Sequence, residues 1–264
     1  EPQIIASRPS TAGGSFAHVG ELDRPILHAE GSWLHLWYIS RAAGGSINHS
    51  LSTDSGKTWT KPTRMQSSPL ANQGSELAAP PLPLADGGLL LPASQNLLGR
   101  RGEILHLSPT GRIIDKTRLP AGPAWQPALL ALDAQRALGL LRVEGGIQAV
   151  GTDDGGRRWQ RREAVPTPHP DLPFAALRLK SGRLLLAGNG SAGRQSLQLW
   201  LSADDGQHWE ASRTVEAAVD GGAEFTAPAL LLGRDGHIHL VYGWRRQGIR
   251  HASFSEAWLD GGRQ

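Results

Sequence analysis

The octapeptide Ser52-Thr53-Asp54-Ser55-Gly56-Lys57-Thr58-Trp59 is the first of three copies of one motif. The second copy is Thr152-Asp153-Asp154-Gly155-Gly156-Arg157-Arg158-Trp159, and the third is Ser202-Ala203-Asp204-Asp205-Gly206-Gln207-His208-Trp209. All three fit the frame S/T-x-D-x-G-x-x-W, and their starts lie 100 and then 50 residues apart. Periods in this range are typical of solenoids and propellers, so the repeat predicts an architecture before it predicts any chemistry.

The side chains shared by the three copies suit a tight hairpin turn. An Asp carboxylate can accept hydrogen bonds from backbone N–H groups of the loop, and Gly adopts positive φ without steric cost. Trp is a large apolar plate with one polar edge, which suits packing between neighbouring sheets. We therefore assign a structural role to one set of residues: Asp54, Gly56, Trp59, Asp154, Gly156, Trp159, Asp204, Gly206 and Trp209.

Pairs of short apolar segments separated by turn signals precede the motif copies. The pairs are Pro25–His28 with Trp33–Tyr38, Pro81–Leu84 with Leu89–Leu91, Pro127–Leu130 with Ala137–Leu141, Phe174–Leu177 with Leu184–Leu186, and Pro228–Leu231 with Ile238–Tyr242. Turn dipeptides such as Asp86-Gly87 and Asp235-Gly236 separate the members of a pair. Evenly spaced short strands of this kind predict an all-β fold.

Counting a third and a fourth strand after each pair gives five units. The second unit has an eroded motif at Pro109-Thr110-Gly111, and the fifth unit lacks its outer strand. The N-terminal segment Gln3–Ser7 has the apolar character to supply that strand, and propellers commonly close in this way. The sequence thus predicts one domain over residues 1–264, a β-propeller of five four-stranded antiparallel blades whose ring is closed by the N-terminal strand.

Composition excludes several functional classes. The 264 residues include 33 Gly and 18 Pro but no Cys, which rules out disulfides and thiolate chemistry. The net charge is only +3 and the basic residues are scattered, whereas a nucleic-acid binder usually shows a basic stripe. No apolar run reaches 18 residues, so we expect no membrane insertion. We find no HExxH motif or tight His/Asp cluster, and we expect no metal and no cofactor.

Connectivity sorts the polar residues onto two rims of the predicted propeller. In a four-stranded meander the motif turns lie at one end, and the second-to-third turns and the approaches to first strands lie at the other. The second rim collects Arg24, Arg41, Glu76, Gln126, Arg142, Asn189, Arg194, Glu224, Tyr242, Arg245 and Arg246. Guanidinium groups bind carboxylates with two parallel hydrogen bonds. Arginines that converge in a concave site therefore indicate an anionic ligand, unless they pair with the glutamates of the same rim.

The repeated motif resembles the Asp box, or BNR repeat, and the whole chain resembles the sialidase-like propellers that carry it. Those propellers usually have six blades, so the alternative to five is a six-bladed propeller whose first blade was lost ahead of Glu1. In the family three arginines bind the substrate carboxylate. Arg194, at the start of the strand into the third motif copy, and Arg142, at the end of a second strand, resemble two of them. Arg24, before Pro25, resembles the third.

The catalytic residues of the family are less well matched. Sialidases use a Tyr nucleophile activated by a Glu, with an Asp as acid and base. The Glu-Pro dipeptide of the family reads Gln126-Pro127 here, and the position of the Tyr holds Phe225. The position of the Asp holds Ala79, with Glu76 nearby. The candidates that remain for catalysis are Glu76, Glu224 and Tyr242.

Two functions follow from the resemblance and its departures. The first is a glycan-acting protein, an exo-sialidase-like glycoside hydrolase with an altered or lost Tyr/Glu mechanism. It would bind an acidic sugar through Arg142, Arg194, Arg24, Arg246, Gln126 and Asn189. The alternative is a non-catalytic lectin-like or protein-binding propeller, which Gln126 and Phe225 favour. The resemblance implies a secreted or periplasmic protein, and we expect a monomer.

Overall fold

The computed structural model describes residues 4–12, 19–41, 45–67, 74–97, 99–165, 172–218 and 222–261. The chain divides into two compact units, Glu1–Pro127 and Ala128–Gln264. The described residues form strands and turns, with two five-residue helices, α1 (Arg8–Ala12) and α2 (Glu256–Asp260). Five antiparallel sheets follow one another along the chain and are the five blades of a β-propeller, which confirms the predicted fold class. Organisation as a single domain stays a prediction.

The first unit contains two sheets. The first sheet comprises β1 (Glu21–Glu30), β2 (Trp33–Arg41), β3 (Gly45–Ser52) and β4 (Thr63–Arg64). The second comprises β5 (Ser75–Leu77), β6 (Leu82–Pro83), β7 (Leu89–Gln95), β8 (Arg101–Leu107) and β9 (Ile113–Arg118). Both β5 and β6 pair with β7, so the inner strand of this blade is broken in two. The break falls at Pro80 and Pro81, which have no N–H group to donate to a neighbouring strand.

Three further sheets follow. The third, which begins at the boundary of the units, comprises β10 (Ala124–Ala131), β11 (Ala137–Val143), β12 (Gly146–Thr152) and β13 (Gln160–Val165). The fourth comprises β14 (Ala175–Arg178), β15 (Leu184–Gly190), β16 (Gly193–Ser202) and β17 (Glu210–Ala217). The fifth comprises β18 (Phe225–Leu232), β19 (Ile238–Trp244) and β20 (Gly248–Phe254). The missing outer strand of the fifth unit, predicted from sequence, is thus confirmed for the described part of the chain.

The predicted N-terminal strand is not found in residues 4–7, the part of Gln3–Ser7 that the structure describes. Residues 4–7 carry no strand, and the side chain of Ile4 is 82% exposed. The reason lies in the serines that follow, because the Ser7 hydroxyl accepts a hydrogen bond from the Ser10 N–H and caps α1. The helix is then held to the first sheet by a 2.7 Å hydrogen bond between the Thr11 and Tyr38 hydroxyls.

Apolar side chains pack between consecutive sheets within each unit. In the first unit Trp37, Ile39 and Leu91 join the first and second sheets. In the second unit one cluster joins the third and fourth sheets, and another, which includes Phe225 and Tyr242, joins the fourth and fifth. The middle strands, such as β7 and β15, are buried along nearly their whole length.

The repeated motif forms the turn between the third and fourth strands of three sheets. In the first copy the Thr58 N–H donates to Asp54 Oδ1 at 2.9 Å, and the Ser52 hydroxyl donates to the same oxygen at 2.8 Å. The indole N–H of Trp59 donates to the Gly56 carbonyl at 3.1 Å. These bonds recur in the second and third copies. The N–H of Thr58, followed by the hydroxyls, lowers the pKa of Asp54 to about 2, so this carboxylate stays ionised and holds the turn.

Candidate anion-binding site

In the fourth and fifth sheets, the predicted rim residues lie at the ends of strands opposite the motif turn. Arg194 is the second residue of β16, and Glu224 directly precedes β18. Arg245 and Arg246 form the turn between β19 and β20. Since these elements run antiparallel, their ends meet at the same edge of the two blades.

The carboxylate of Glu224 connects two of these arginines. Arg246 donates from Nε to Oε2 at 2.9 Å and from Nη2 to Oε1 at 2.7 Å, which is a two-point pairing. Arg194 Nη1 lies 3.7 Å from Oε2 of the same carboxylate. The hydrogen bonds from Arg246 lower the pKa of Glu224, so the carboxylate is ionised at neutral pH. Two exposed guanidinium groups and one ionised carboxylate therefore lie at this edge.

The turn that carries Arg245 and Arg246 has an unfavourable backbone conformation. Their φ values are +54° and +57°, and the Gln247 N–H donates to the Trp244 carbonyl at 3.0 Å. Two positive φ values are the mark of a type I′ turn, in which Asn and Gly are preferred. The turn is also tied to Glu224, whose carbonyl accepts the Arg245 N–H at 2.7 Å. Strain of this kind is often found at functional sites.

A second glutamate lies beside the first group. The Tyr242 hydroxyl donates to Glu216 Oε1 at 2.6 Å, and Arg250 donates to the same oxygen. Burial, and then the neighbouring carboxylate, raise the pKa of Tyr242 to about 12. The side chain of Tyr242 is almost fully buried, so its hydroxyl makes its hydrogen bond inside the protein. Arg250 in turn stacks on Trp244 with its guanidinium carbon 4.3 Å from the ring centroid.

Three other predicted positions in the second unit have different surroundings. Arg142 lies near the end of β11, opposite Ile147 of β12. Asn189 is buried, and its amide nitrogen donates to the carbonyls of Ser196 and Phe225 at 2.8 and 2.9 Å. The bond to Ser196 lies within the fourth sheet, and the bond to Phe225 joins the fourth sheet to the fifth. Phe225 is fully buried in the apolar cluster between these sheets.

The first unit holds its own group of arginines and carboxylates. Arg41 donates to Asp23 Oδ2 from Nε at 3.2 Å and from Nη2 at 2.9 Å. Arg24 Nη2 lies 3.5 Å from Glu76 Oε2, and Arg41 lies 3.9 Å from the other oxygen of Glu76. The hydrogen bond from Arg41 is the main cause that lowers the pKa of Asp23. Glu76, a predicted catalytic carboxyl, thus contacts two arginines of the predicted rim.

A positive φ directly before proline recurs in three first strands. Arg24, Gln126 and Ala227 have φ values of +51°, +52° and +48° and precede Pro25, Pro127 and Pro228. The pairing register shifts at the first and third of these places, between Asp23 and Ile26 and between Thr226 and Ala229. Such bulges redirect a side chain at the end of a strand. The backbone N–H of Gln126 lies 3.4 Å from the Ser94 hydroxyl.

Sequence reasoning missed Glu216 as the partner of Tyr242 and Asp23 as the partner of Arg41. Glu216 lies near the end of the outer strand β17, a part of the blade that the connectivity argument left unassigned. Its position one residue before the end of a strand that follows a motif copy is the signal that could have found it. Asp23 immediately precedes Arg24, which was already a candidate.

The chain belongs to the BNR repeat-like domain family, whose model matches residues 1–240. No curated protein matches it in sequence. Membership of this family defines the repeat from which the blades are built. It does not establish a particular activity.

Solved structures with the same fold include known sialidases. A Hadza microbial sialidase has a TM-score of 0.76 at 13% identity, over 97% of this chain and 57% of that one. The intramolecular trans-sialidase of Ruminococcus gnavus, solved with oseltamivir carboxylate, has a TM-score of 0.64 at 16% identity, over 91% and 60%. A protein of unknown function from Dyadobacter fermentans has a TM-score of 0.70 at 17% identity, over 92% and 81%. The fold is thus sialidase-like, and the chain spans about three fifths of the two sialidases.

Metal-binding groups and membrane-spanning helices are both absent from the described residues. No group of three or more His, Asp or Glu side chains in this part of the chain is arranged to hold a metal ion. Neither of the two short helices has the length or the apolar character needed to span a membrane.

Proposed function

We propose that this protein acts on glycans and recognises the carboxylate of an acidic sugar through Arg194 and Arg246. The observation that carries the proposal is their convergence on Glu224, at the edge of the fourth and fifth blades. Glu224 keeps the two cations together without neutralising both, so the edge attracts an anion. Arg142 belongs to the same proposal as a further carboxylate-binding residue, and so does secretion of the protein.

Binding of an acidic sugar can be measured by thermal shift and calorimetry with sialic and uronic acids. A ligand that binds only the native state raises the melting temperature. We expect a shift for the wild type that is lost in the Arg194→Ala, Arg246→Ala double variant. Arg178→Ala removes an exposed arginine at the motif end of the fourth sheet and should bind like the wild type. Absence of a shift with every acid would remove the proposal.

Turnover of the sugar is the first of two roles for this site. In this role an ionised Glu224 is suited to act as a base or to stabilise positive charge, since a general acid needs a raised pKa. Glu76, between Arg24 and Arg41, is the other carboxyl candidate. We expect Glu224→Gln to lower the hydrolysis of a fluorogenic sialoside at least tenfold. Unchanged hydrolysis in both Glu224→Gln and Glu76→Gln would contradict the assignment of a carboxyl catalyst.

The second role is binding without turnover, and the burial of two aromatic residues favours it. Phe225 has no hydroxyl, and Tyr242, whose hydroxyl is bonded to Glu216, is 2% exposed. Neither side chain offers a nucleophile to a sugar at the surface. Wild-type protein that binds sialosides but releases no sugar over long incubation would establish this role.

A further inference from the structure

The edge of the fourth and fifth blades carries more positive charge than is needed to bind a sugar with a single carboxylate. Four arginines, Arg194, Arg245, Arg246 and Arg250, surround two carboxylates, those of Glu216 and Glu224. With all six groups ionised, these described side chains carry an excess of two positive charges. The excess can be assigned to particular guanidinium groups by following their hydrogen bonds.

Two of the four arginines are already committed to the glutamates. Arg246 donates from Nε and Nη2 to the two oxygens of Glu224. Arg250 donates to Glu216. These two pairs leave Arg194 and Arg245 as the groups that supply the surplus charge.

The guanidinium groups of Arg194 and Arg245 have no hydrogen-bond acceptor among the described residues. Arg194 has only the 3.7 Å ion pair with Glu224. Arg245 uses its backbone N–H on the Glu224 carbonyl, while its guanidinium carbon lies 4.9 Å from the centroid of the Trp244 ring. Stacking on an indole fixes the plane of a guanidinium and leaves its N–H donors at the edge of that plane. Both side chains are exposed, and their guanidinium donors are not used by any described acceptor.

The backbone of the turn supports a role for Arg245 beyond folding. Arg245 and Arg246 both occupy the left-handed region, which is less favourable for arginine than for glycine. Asn or Gly at these positions would form the same turn with less strain. A strained turn that carries two arginines and is fastened to Glu224 is well explained if the arginines contact a ligand.

We propose that this edge binds a glycan with two anionic groups, one held by Arg194 beside Arg246 and the second held by Arg245. This inference rests on the proposed function and narrows its ligand class from acidic to dianionic sugars. A second carboxylate and a sulfate ester both fit a guanidinium fork. The backbone carbonyl of Glu224 accepts a hydrogen bond from Arg245, and its carboxylate forms an ion pair with Arg194. The two anion positions are therefore neighbours.

Calorimetry with three sugars tests the proposal. The probes are a sialoside with one carboxylate, the same sialoside with one added sulfate ester, and a disialoside with two carboxylates. We expect either dianionic sugar to bind wild-type protein about tenfold more tightly than the single-carboxylate sugar, a change of about 1.4 kcal/mol. Added salt should weaken the dianionic sugars more steeply, because an additional charge contact is screened.

Variants at Arg245 locate the second anion. Arg245→Asn suits the positive φ of the turn and should abolish the tenfold advantage while the single-carboxylate sugar binds as before. Arg245→Lys keeps the charge but lacks the fork, and should retain only part of the advantage. Arg178→Asn, at the motif end of the fourth sheet, serves as the control and should retain all of it.

The outcomes separate this inference from the proposed function. If the wild type binds all three sugars equally, or if Arg245→Asn keeps the tenfold advantage, the dianionic inference is overturned and the proposed function stands. If no sugar binds, both are overturned. Melting temperatures of the variants show whether any loss of binding comes from unfolding.

Discussion

The buried histidine pair of the first sheet shows how single residues can set the pH response of this fold. His35 on β2 and His49 on β3 lie with Nδ1 and Nε2 3.0 Å apart, and both rings stack on Trp37. Burial lowers the pKa of each histidine to about 4. Both side chains are therefore neutral in the folded protein at pH 7.

We predict that this pair destabilises the protein in mild acid. The stability that depends on neutral histidines is complete above the unfolded pKa of about 6.5, and is lost as the pH falls towards the folded pKa. The loss is on the order of 3 kcal/mol for one histidine, at about 1.4 kcal/mol per pKa unit. Urea unfolding at a series of pH values should show this slope, and His49→Gln should flatten it.

The fifth sheet offers a matched control for this prediction. His239 and His251 form a second stacked pair, with ring nitrogens 3.0 Å apart, but this pair is not buried. His251→Gln should leave the slope between pH 6.5 and 4 unchanged. A slope that responds to His251→Gln and not to His49→Gln would contradict the assignment to the buried pair.

Among the elements, the turn of Arg245 and Arg246 lowers the stability of the fold and supports binding of acidic sugars. We predict that the double variant Arg245→Asn, Arg246→Gly raises the free energy of unfolding by about 1–2 kcal/mol, because both left-handed positions are relieved. The variant also loses the pair with Glu224, in which the side chain of Arg246 is 77% exposed and that of Glu224 is 25% exposed, so part of this gain is offset. Denaturant unfolding should show the increase, while the same variant loses affinity for acidic sugars. A melting temperature at or below that of the wild type would show that the turn is not strained.

Most strands could be predicted from sequence, because period-two patterns and turn residues act locally. The predicted segments Ala137–Leu141 and Ile238–Tyr242 each end two residues before β11 and β19 do. The fourth strand after the first motif copy is short, since β4 contains only Thr63 and Arg64. Pro62, which has no N–H group to donate, directly precedes this strand.

The contacts of the candidate site could be predicted only in part. Connectivity alone placed Arg194, Glu224 and Arg246 at one end of the strands, and the structure brings these three side chains together. The pairing of Tyr242 with Glu216 depends on how neighbouring sheets pack, which no local pattern specifies. The same holds for the left-handed φ values at Arg24 and Gln126, since residues before proline ordinarily prefer extended backbone.

At the scale of the whole molecule, the N-terminal segment contributes to the stability of the protein through one hydrogen bond and not through strand pairing. Residues 4–7 pair with no strand, whereas Thr11 on α1 bonds to the buried hydroxyl of Tyr38. We therefore predict that Ile4→Ser, which changes a side chain that is 82% exposed, leaves the melting temperature close to that of the wild type. Thr11→Val, by contrast, should cost about 1 kcal/mol, because a buried hydroxyl loses its partner. Calorimetry of both variants decides the matter: a large loss with Ile4→Ser would mean that the side chain of Ile4 is packed in the folded protein.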